Sequence, residues 1–145
     1  MALLRKAPLV ACDETGARIE GVNAYHWVFC CKQAVVHSAA FTRGAQAVRD
    51  VLDVHRPDVW ISDRYSAQQG HANRQQTCLA HLDRAALFAD ENSDDLAPMR
   101  LRLWFRRAFA LARDIETIAA STLRAKRRAL ERDLTIILNA STASR

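Results

Sequence analysis

The stretch that decides the fold is residues 59–67, Val-Trp-Ile-Ser-Asp-Arg-Tyr-Ser-Ala, an apolar run that closes on an acid and passes into polar residues. β-Branched and aromatic residues in a short apolar run predict a buried strand, and Asp63 stands at its C-terminal end. In α/β sheets, ligands and catalytic groups lie beyond the carboxyl ends of the strands. The position of Asp63 therefore predicts a functional role.

Residues 8–16, Pro-Leu-Val-Ala-Cys-Asp-Glu-Thr-Gly, form a second apolar run that closes on acid. This pattern predicts a first strand over residues 7–13 and a turn over residues 14–18, in which Gly16 can take a positive φ. Asp13 would then stand at the end of the first strand, as Asp63 does at the end of the later one.

The residues between the two acids predict that their strands are neighbours. Residues 24–31 and 34–39 are β-prone runs separated by Lys-Gln, which predicts a hairpin and, with the first strand, an antiparallel meander. Residues 43–55 have the apolar spacing of a helix, with Thr42 as its N-cap. A helix between two strands of one sheet usually makes a right-handed crossover that leaves those strands parallel. The strands that carry the two acids would then be adjacent.

The rest of the chain predicts one more strand followed by helices. A short fifth strand is expected over residues 74–78, and a helix begins at residue 79. Residues 96–138 are strong helix formers without glycine, and residues 120–122 are expected to bend them into two helices. The predicted fold class is therefore α/β, with a mixed sheet and a C-terminal helical extension.

The chain divides in composition at the polar segment 90–95. Residues 1–95 hold 10 Lys/Arg and 12 Asp/Glu, a net charge of −2, whereas residues 96–145 hold 11 Lys/Arg and 4 Asp/Glu, a net charge of +7. We therefore expect two domains with these bounds, the second with a frayed end over residues 139–145. A basic domain is typical of proteins that bind polyanions such as nucleic acid, although an arginine-rich helix face in solvent has the same composition.

Length and cysteine content limit the class of protein. With 145 residues, half of them hydrophobic, the chain can bury one core and little more. It contains no apolar run of the roughly 20 residues that a membrane span needs, and its N-terminus lacks the apolar core of a signal peptide, so we expect a cytoplasmic protein without a membrane partner. Cys12, Cys30 and Cys31 fall in the first two predicted strands, where a thiol packs as a small hydrophobe, and we expect no structural disulfide.

A pair of carboxylates at adjacent strand ends has two interpretations. Such a pair can bind Mg²⁺ or Mn²⁺ through oxygen, and in phosphoryl transfer these metals activate one oxygen and stabilise another. Alternatively, Asp13 and Asp63 only cap the turns that follow their strands, as aspartate often does. The pattern of residues alone leaves both interpretations open.

Four ordered segments narrow this choice. They are residues 13–16 (DETG), 25–29 (YHWVF), 62–67 (SDRYSA) and 78–84 (CLAHLDR). In order and spacing they resemble the insertion-sequence transposases of the DDE class, most closely the IS66 family, over about residues 8–90. The resemblance implies a ribonuclease H-like fold whose first and fourth strands carry the two catalytic aspartates.

The resemblance also implies a reaction and its partners. Asp13 and Asp63 would be catalytic residues and the first two ligands of Mg²⁺ or Mn²⁺, in phosphodiester cleavage and strand transfer. DNA, as transposon ends and target, would be the partner, and the protein would act as a homo-oligomer. The third acid of the family lies in an Asn/Glu motif that this sequence lacks, so we assign no third ligand. The alternative is a truncated, catalytically inactive fragment that retains DNA or partner binding.

Residues outside the acid pair carry weaker expectations. Cys78 and His81 have the spacing of half a zinc site, but a structural zinc takes four ligands, so we favour an accessory packing or hydrogen-bonding role over zinc. Gln68 stands where the family tends to have an aromatic residue, which affects the expected local DNA contacts. Arginine and lysine bind DNA phosphates. The basic residues expected to do so are Arg64, Arg84, Arg106, Arg107, Arg124, Lys126, Arg127 and Arg128.

Overall fold

The computed structural model describes the backbone of residues 1–142 and the side chains of residues 1–140. Two compact units make up the chain, Met1–Cys78 and Leu79–Arg145. The first unit holds a sheet with a short helix against it, and the second unit is helical. The predicted domain boundary at residues 95/96 was set by charge rather than by packing, and it stays a prediction.

The first unit is built on a five-stranded mixed sheet. The strands are β1 (Leu9–Ile19), β2 (Val22–Cys31), β3 (Ala34–Ala40), β4 (Val59–Ser62) and β5 (Arg74–Thr77), in the spatial order β3-β2-β1-β4-β5. The β1/β2 and β2/β3 pairs are antiparallel, whereas the β1/β4 and β4/β5 pairs are parallel. This confirms the predicted α/β class, the meander and the adjacency of β1 and β4.

The predicted end of β1 is wrong, because the strand continues through Asp13 to Ile19. Gly16 does not turn the chain; it is paired with Tyr25 of β2 in a ladder that runs to the hairpin end. The reversal comes at Glu20 and Gly21, whose φ angles of 51° and 82° suit a two-residue hairpin turn that matches the twist of the strands. Asp13 therefore lies within β1 rather than at its end.

The connection from β3 to β4 contains helix α1 (Ala45–Leu52), which is shorter than the predicted helix over residues 43–55. Its N-cap is Gly44 and not Thr42; the Thr42 hydroxyl instead accepts a hydrogen bond from the Gly44 amide at 3.0 Å. One face of α1 is buried against the sheet, as the apolar spacing predicted. The core of this unit contains Leu4, Val10, Trp27, Phe29, Val48, Val51, Leu52 and Trp60.

The second unit contains helices α2 (Leu79–Glu91), α3 (Leu96–Arg113) and α4 (Ala120–Thr142). Asp95 caps α3, because its Oδ1 accepts from the Ala97 amide at 2.9 Å. The predicted bend at residues 120–122 is misplaced, since those residues begin α4 and the break lies before them. Residues 139–142 continue α4, while residues 143–145 of the expected frayed end lie outside the described residues. Within residues 1–142, no helix is both long and apolar enough to cross a membrane.

Helix α3 carries a cluster of aromatic rings, and polar contacts join it to α4. Phe105 is buried, with the rings of Trp104 and Phe109 at 5.3 and 6.2 Å. The indole N–H of Trp104 donates to the carbonyl of Leu130 at 2.8 Å. Helices α3 and α4 therefore pack against each other within the second unit.

Candidate functional site

The two predicted acids stand at matching positions on neighbouring parallel strands. The β1/β4 ladder pairs Leu9 with Val59 and ends where Ala11 pairs with Ile61. Asp13 and Asp63 each come two residues after the last of these pairs. The predicted adjacency of the strands that carry the two acids is therefore observed, although β1 itself continues along β2. The catalytic and metal-binding role of the two acids stays a prediction.

Both acids lie on the face of the sheet that points away from the core. Side chains alternate along a strand. Val10 and Cys12 of β1 are buried, as are Trp60 and Ser62 of β4, which places residues 13 and 63 on the opposite face. Asp13 is exposed and Asp63 is half-buried, so a solvent-borne ligand can reach this part of the sheet.

Negative charge in this region contributes to the raised pKa of the Cys12 thiol. Burial raises the pKa of Cys12 well above its ordinary value, and the carboxylates of Glu14, Asp13 and Asp63 raise this pKa further. A thiol responds to a carboxylate in this way only over a short range. Asp13, Asp63 and Glu14 therefore form one acidic region around the end of the β1/β4 ladder.

The loop after β4 orients Asp63. Its Oδ1 accepts from the backbone amide of Tyr65 at 2.8 Å, the geometry of an aspartate that caps a turn. The Gln69 side chain and the Ser62 hydroxyl both donate to the Asp63 carbonyl, each at 3.1 Å. Turn capping, one of the two interpretations of the sequence, is therefore present, and it uses only one oxygen of the carboxylate.

A polar network beside the acids was not predicted from the sequence. The side chain of Glu14 is only 2% exposed, and its Oε1 lies 2.6 Å from Nη2 of Arg43. Gln68, which is fully buried, donates its amide to Oε2 of Glu14. The guanidinium carbon of Arg43 lies 4.0 Å from the centroid of the Tyr65 ring. The hydrogen bond to Glu14 raises the pKa of Arg43, which stays charged.

The alternation of side chains along β1 could have identified Glu14 as an acid on the inward face of the strand. Val10, Cys12 and Glu14 share the inward face, so an acid in this series has to meet a partner inside the protein. Because residues 14–18 were predicted as a turn, Glu14 was not assigned to the inward face of β1. Gln68, for its part, is buried against Glu14 rather than presented at the surface, so it does not offer its side chain to DNA.

The acid pair provides oxygen donors of the kind that Mg²⁺ and Mn²⁺ prefer. Mg²⁺ is usually held by one or two carboxylates, with phosphate oxygens of the substrate and waters completing its coordination. Asp13 and Asp63 fit this donor set. The residues that the structure describes contain no group of three or more His, Cys, Asp and Glu side chains that could hold a metal ion by themselves.

Cys78 and His81 fall in different units of the chain. The amide of Cys78 donates to the Ser62 carbonyl at 2.6 Å, which joins the end of β5 to the end of β4. His81 is half-buried in the first turns of α2. All four cysteines lie in the described part of the chain and are free thiols.

The predicted DNA-binding residues are exposed at the surface of both units. Arg64 lies in the loop after β4, Arg84 in α2, and the other six in α3 and α4. Two of them already have acidic partners, since Arg107 contacts Asp133 at 2.6 Å and Arg127 contacts Glu131 at 2.8 Å. These ion pairs reduce the positive charge that Arg107 and Arg127 can present to a phosphate.

The histidines also have partners that the sequence did not reveal. Nε2 of His26 and Nδ1 of His37 are 2.9 Å apart across the β2/β3 pair. Their ring centroids are 5.1 Å apart with planes 11° apart, which describes two rings that meet edge to edge through one hydrogen bond. His55 and His71 each contact a backbone carbonyl at 2.8 Å.

The comparison with family profiles identifies the chain. The profile described as the Transposase IS66 family matches residues 1–143. The chain therefore belongs to the IS66 family of transposases, as its four sequence segments predicted, and the match extends beyond those segments at both ends. No curated protein and no solved structure matches the chain.

Proposed function

We propose that this chain provides the catalytic core of a DDE-type transposase, which cleaves and joins phosphodiester bonds with a divalent metal ion. The observation that carries the proposal is the matched position of Asp13 and Asp63, two residues past the last β1/β4 pair on one face of the sheet. The order β3-β2-β1-β4-β5, with a meander followed by parallel strands, agrees with the ribonuclease H-like fold that this proposal includes.

Asp13 and Asp63 would hold Mg²⁺ or Mn²⁺, and the bound ion would supply Lewis-acid activation of a phosphodiester and of the attacking oxygen. Asp63 is held in one orientation by the Tyr65 amide on Oδ1. Within residues 1–142, its Oδ2 makes no hydrogen bond, which leaves that oxygen for a ligand. The exposed face gives a phosphate group room to approach both acids.

We propose residues 1–95 as the catalytic-core region and residues 96–145 as a basic extension that contacts DNA. Exposed basic residues in α4, with Arg124 and Arg128 one turn apart, would meet the phosphates of transposon ends or target. Two copies would act together if two DNA ends are joined in one event. The charge of residues 96–145, +7, favours this assignment.

The second candidate function is DNA or partner binding without catalysis. It is favoured by the described residues, in which no third acid joins the pair in a metal-binding group. The two candidates differ in whether metal-dependent cleavage occurs and agree in DNA binding. One experiment can therefore separate them.

The test measures Mn²⁺ binding and nicking of a plasmid by the full chain, beside Asp63→Asn and Asp58→Asn. Asp58 is an exposed acid just before β4, so its variant has the same change in charge at the other end of that strand. Catalysis predicts Mn²⁺-dependent nicking that Asp63→Asn abolishes and Asp58→Asn retains. Mn²⁺ binding without nicking by wild type would support the second candidate. Equal Mn²⁺ binding by all three proteins would contradict the metal site itself.

A further inference from the structure

Arg43 connects the two residues whose backbone amides hold the two acids. The Glu14 amide donates to Oδ1 of Asp13 at 3.1 Å, and the Tyr65 amide donates to Oδ1 of Asp63 at 2.8 Å. The Arg43 side chain contacts the side chains of both residues, through its ion pair with the Glu14 carboxylate and through the face of the Tyr65 ring. One guanidinium thus links the backbone segments that hold both acids.

The contacts of Arg43 are those that favour arginine over other cations. Its Nε donates to Oε1 of Glu14 at 2.7 Å, in addition to the 2.6 Å contact from Nη2, so two N–H groups converge on one oxygen. The flat guanidinium also covers the Tyr65 ring, a contact in which arginine is favoured over lysine. Lysine could preserve the charge but not both of these geometries.

The loop that carries Tyr65 has a second attachment to the same acid. Gln68 closes the short 3₁₀ turn Ser66–Gln68, and its amide donates to Oε2 of Glu14. The buried carboxylate of Glu14 therefore binds Arg43 with one oxygen and Gln68 with the other. The loop after β4 is therefore attached to Glu14 of β1 in two ways, through Gln68 directly and through Arg43 and the Tyr65 ring.

We propose that Arg43 is a positioning residue that fixes the spacing between the carboxylates of Asp13 and Asp63. It touches neither a metal nor a substrate; it acts through Glu14 on one acid and through Tyr65 on the other. Loss of this link lets the β4 loop move relative to β1, and the two oxygen donors no longer keep a constant separation. The proposal rests on the proposed function, because the spacing matters only if the acids share a ligand.

The test compares Arg43→Gln with Arg49→Gln. Arg49 is an exposed arginine of α1 whose side-chain hydrogen bonds, among residues 1–140, go only to Gln46 on the same helix, so the second variant matches the loss of charge. Mn²⁺ affinity is measured by electron paramagnetic resonance, and exchange of the Tyr65 amide by ¹⁵N NMR. We expect Arg43→Gln to weaken Mn²⁺ binding about tenfold, the lower end for residues that orient metal ligands. Arg49→Gln should bind as wild type does.

Amide exchange provides a readout that needs no metal. In Arg43→Gln the Tyr65 amide should exchange roughly five- to tenfold faster, because its hydrogen bond to Asp63 is no longer held in place. Amides in the β2/β3 pair should exchange at unchanged rates. A variant that is merely less stable would speed exchange across the whole unit.

A double variant tests the positioning role in a protein that keeps no unpaired buried charge. Arg43→Gln leaves the buried Glu14 carboxylate without its cation, which by itself can unfold the unit. Glu14→Gln combined with Arg43→Gln removes both charges and still leaves Gln68 a side-chain acceptor at position 14. This protein should fold, bind Mn²⁺ about tenfold more weakly than wild type, and show fast Tyr65 exchange.

The outcomes separate the inference from the proposed function. If wild type binds Mn²⁺ and Asp63→Asn does not, but both Arg43 proteins bind as wild type does, the positioning role is overturned and the metal site stands. If Asp63→Asn binds Mn²⁺ as wild type does, the metal site fails and the positioning role fails with it. Tyr65 exchange that is unchanged in a folded Arg43 variant also overturns the positioning role.

Discussion

The amide of Tyr65 lies 2.8 Å from Oδ1 of Asp63, so the acid that follows β4 caps the turn in which it sits. Capping and metal binding make different demands on this side chain. A cap needs an oxygen acceptor, which asparagine also provides, whereas a divalent cation needs negative charge. Substitutions at this one position can therefore test the proposed metal binding separately from the observed capping.

Asp63→Asn should leave the free energy of unfolding within about 0.5 kcal/mol of wild type, while Asp63→Ala should lower it by about 1 kcal/mol. The amide of asparagine keeps the acceptor for Tyr65, and alanine removes it. Urea denaturation at neutral pH measures both values. Equal losses in the two variants would show that the charge of Asp63, rather than its acceptor oxygen, stabilises the loop.

The stability of the first unit should fall at alkaline pH through Cys12. Burial and the neighbouring carboxylates raise the pKa of this thiol in the folded protein, so the native state keeps its proton at a pH where the unfolded chain loses it. The stabilising contribution is complete below the ordinary thiol pKa of 9.0 and declines as pH rises above it.

Urea denaturation at pH 8 and pH 10 measures this effect, with Cys12→Ala as the control. Wild type should lose about 1 kcal/mol more than Cys12→Ala between these two values, since each pH unit above the unfolded pKa costs at most about 1.4 kcal/mol. Labelling gives a second measurement. At pH 8 iodoacetamide should modify the half-buried Cys30, Cys31 and Cys78 before Cys12.

The β1/β2 turn offers a stabilising substitution. Glu20 has a φ of 51°, a region that asparagine tolerates better than glutamate, and Gly21 follows it at 82°. Glu20→Asn should raise the free energy of unfolding by about 0.5 kcal/mol, whereas Gly21→Ala should lower it by about 1–2 kcal/mol. Thermal unfolding of the two variants beside wild type tests the assignment, and a neutral Gly21→Ala would contradict it.

The α3/α4 pair should depend on its indole more than on its ion pair. Trp104→Phe removes the hydrogen bond to Leu130 and should cost about 1 kcal/mol or more. Arg107→Gln breaks the contact with Asp133, but Arg107 is 56% exposed, so the expected loss is below about 0.5 kcal/mol. Denaturation measures both losses, and the denaturant midpoint of Trp104→Phe should be lower than that of Arg107→Gln.

Arginines that already form ion pairs should contribute less to DNA binding than Arg124 and Arg128. Arg124→Gln with Arg128→Gln is compared with Arg107→Gln with Arg127→Gln, whose arginines are already bound to acids. The first pair should reduce the slope of log K against log salt by about 2, roughly one for each phosphate contact, and the second by less than about 1. Titration of a duplex by fluorescence anisotropy at several salt concentrations measures both. Equal changes of slope in the two double variants would show that DNA does not contact Arg124 and Arg128 in preference to Arg107 and Arg127.

The sequence predicted the meander and the adjacency of β1 and β4, but it did not place β5 in the sheet. Alternating and continuous apolar runs marked the strands, and the crossover helix made β1 and β4 parallel. The exact ends failed where pairing with a neighbour outweighed local preference. Gly16 suggested a turn, yet β2 pairs with it and carries the strand on to Ile19.

The candidate site divides in the same way. The apolar runs before Asp13 and Asp63, together with the ordered segments, were enough to single out both residues, although Asp13 lies within β1, and their catalytic role stays a prediction. Arg43 was not, since it lies 29 residues from Glu14 and 22 from Tyr65, and no spacing rule joins the three. Only the folded chain brings a residue before α1 into contact with both strand segments.

The β1/β2 and β1/β4 ladders join residues that lie at different separations along the chain. The two ladders therefore form at different times during synthesis. The β1/β2 turn is local, and hairpins form in about 1–10 μs. The β1/β4 ladder joins residues 50 positions apart, from Leu9 and Val59 onward, which a ribosome at about 5–20 residues per second adds in roughly 2 to 10 seconds. The hairpin that contains Asp13 can therefore form before Asp63 has been synthesised, and the two acids come together only after β4 has emerged from the ribosome.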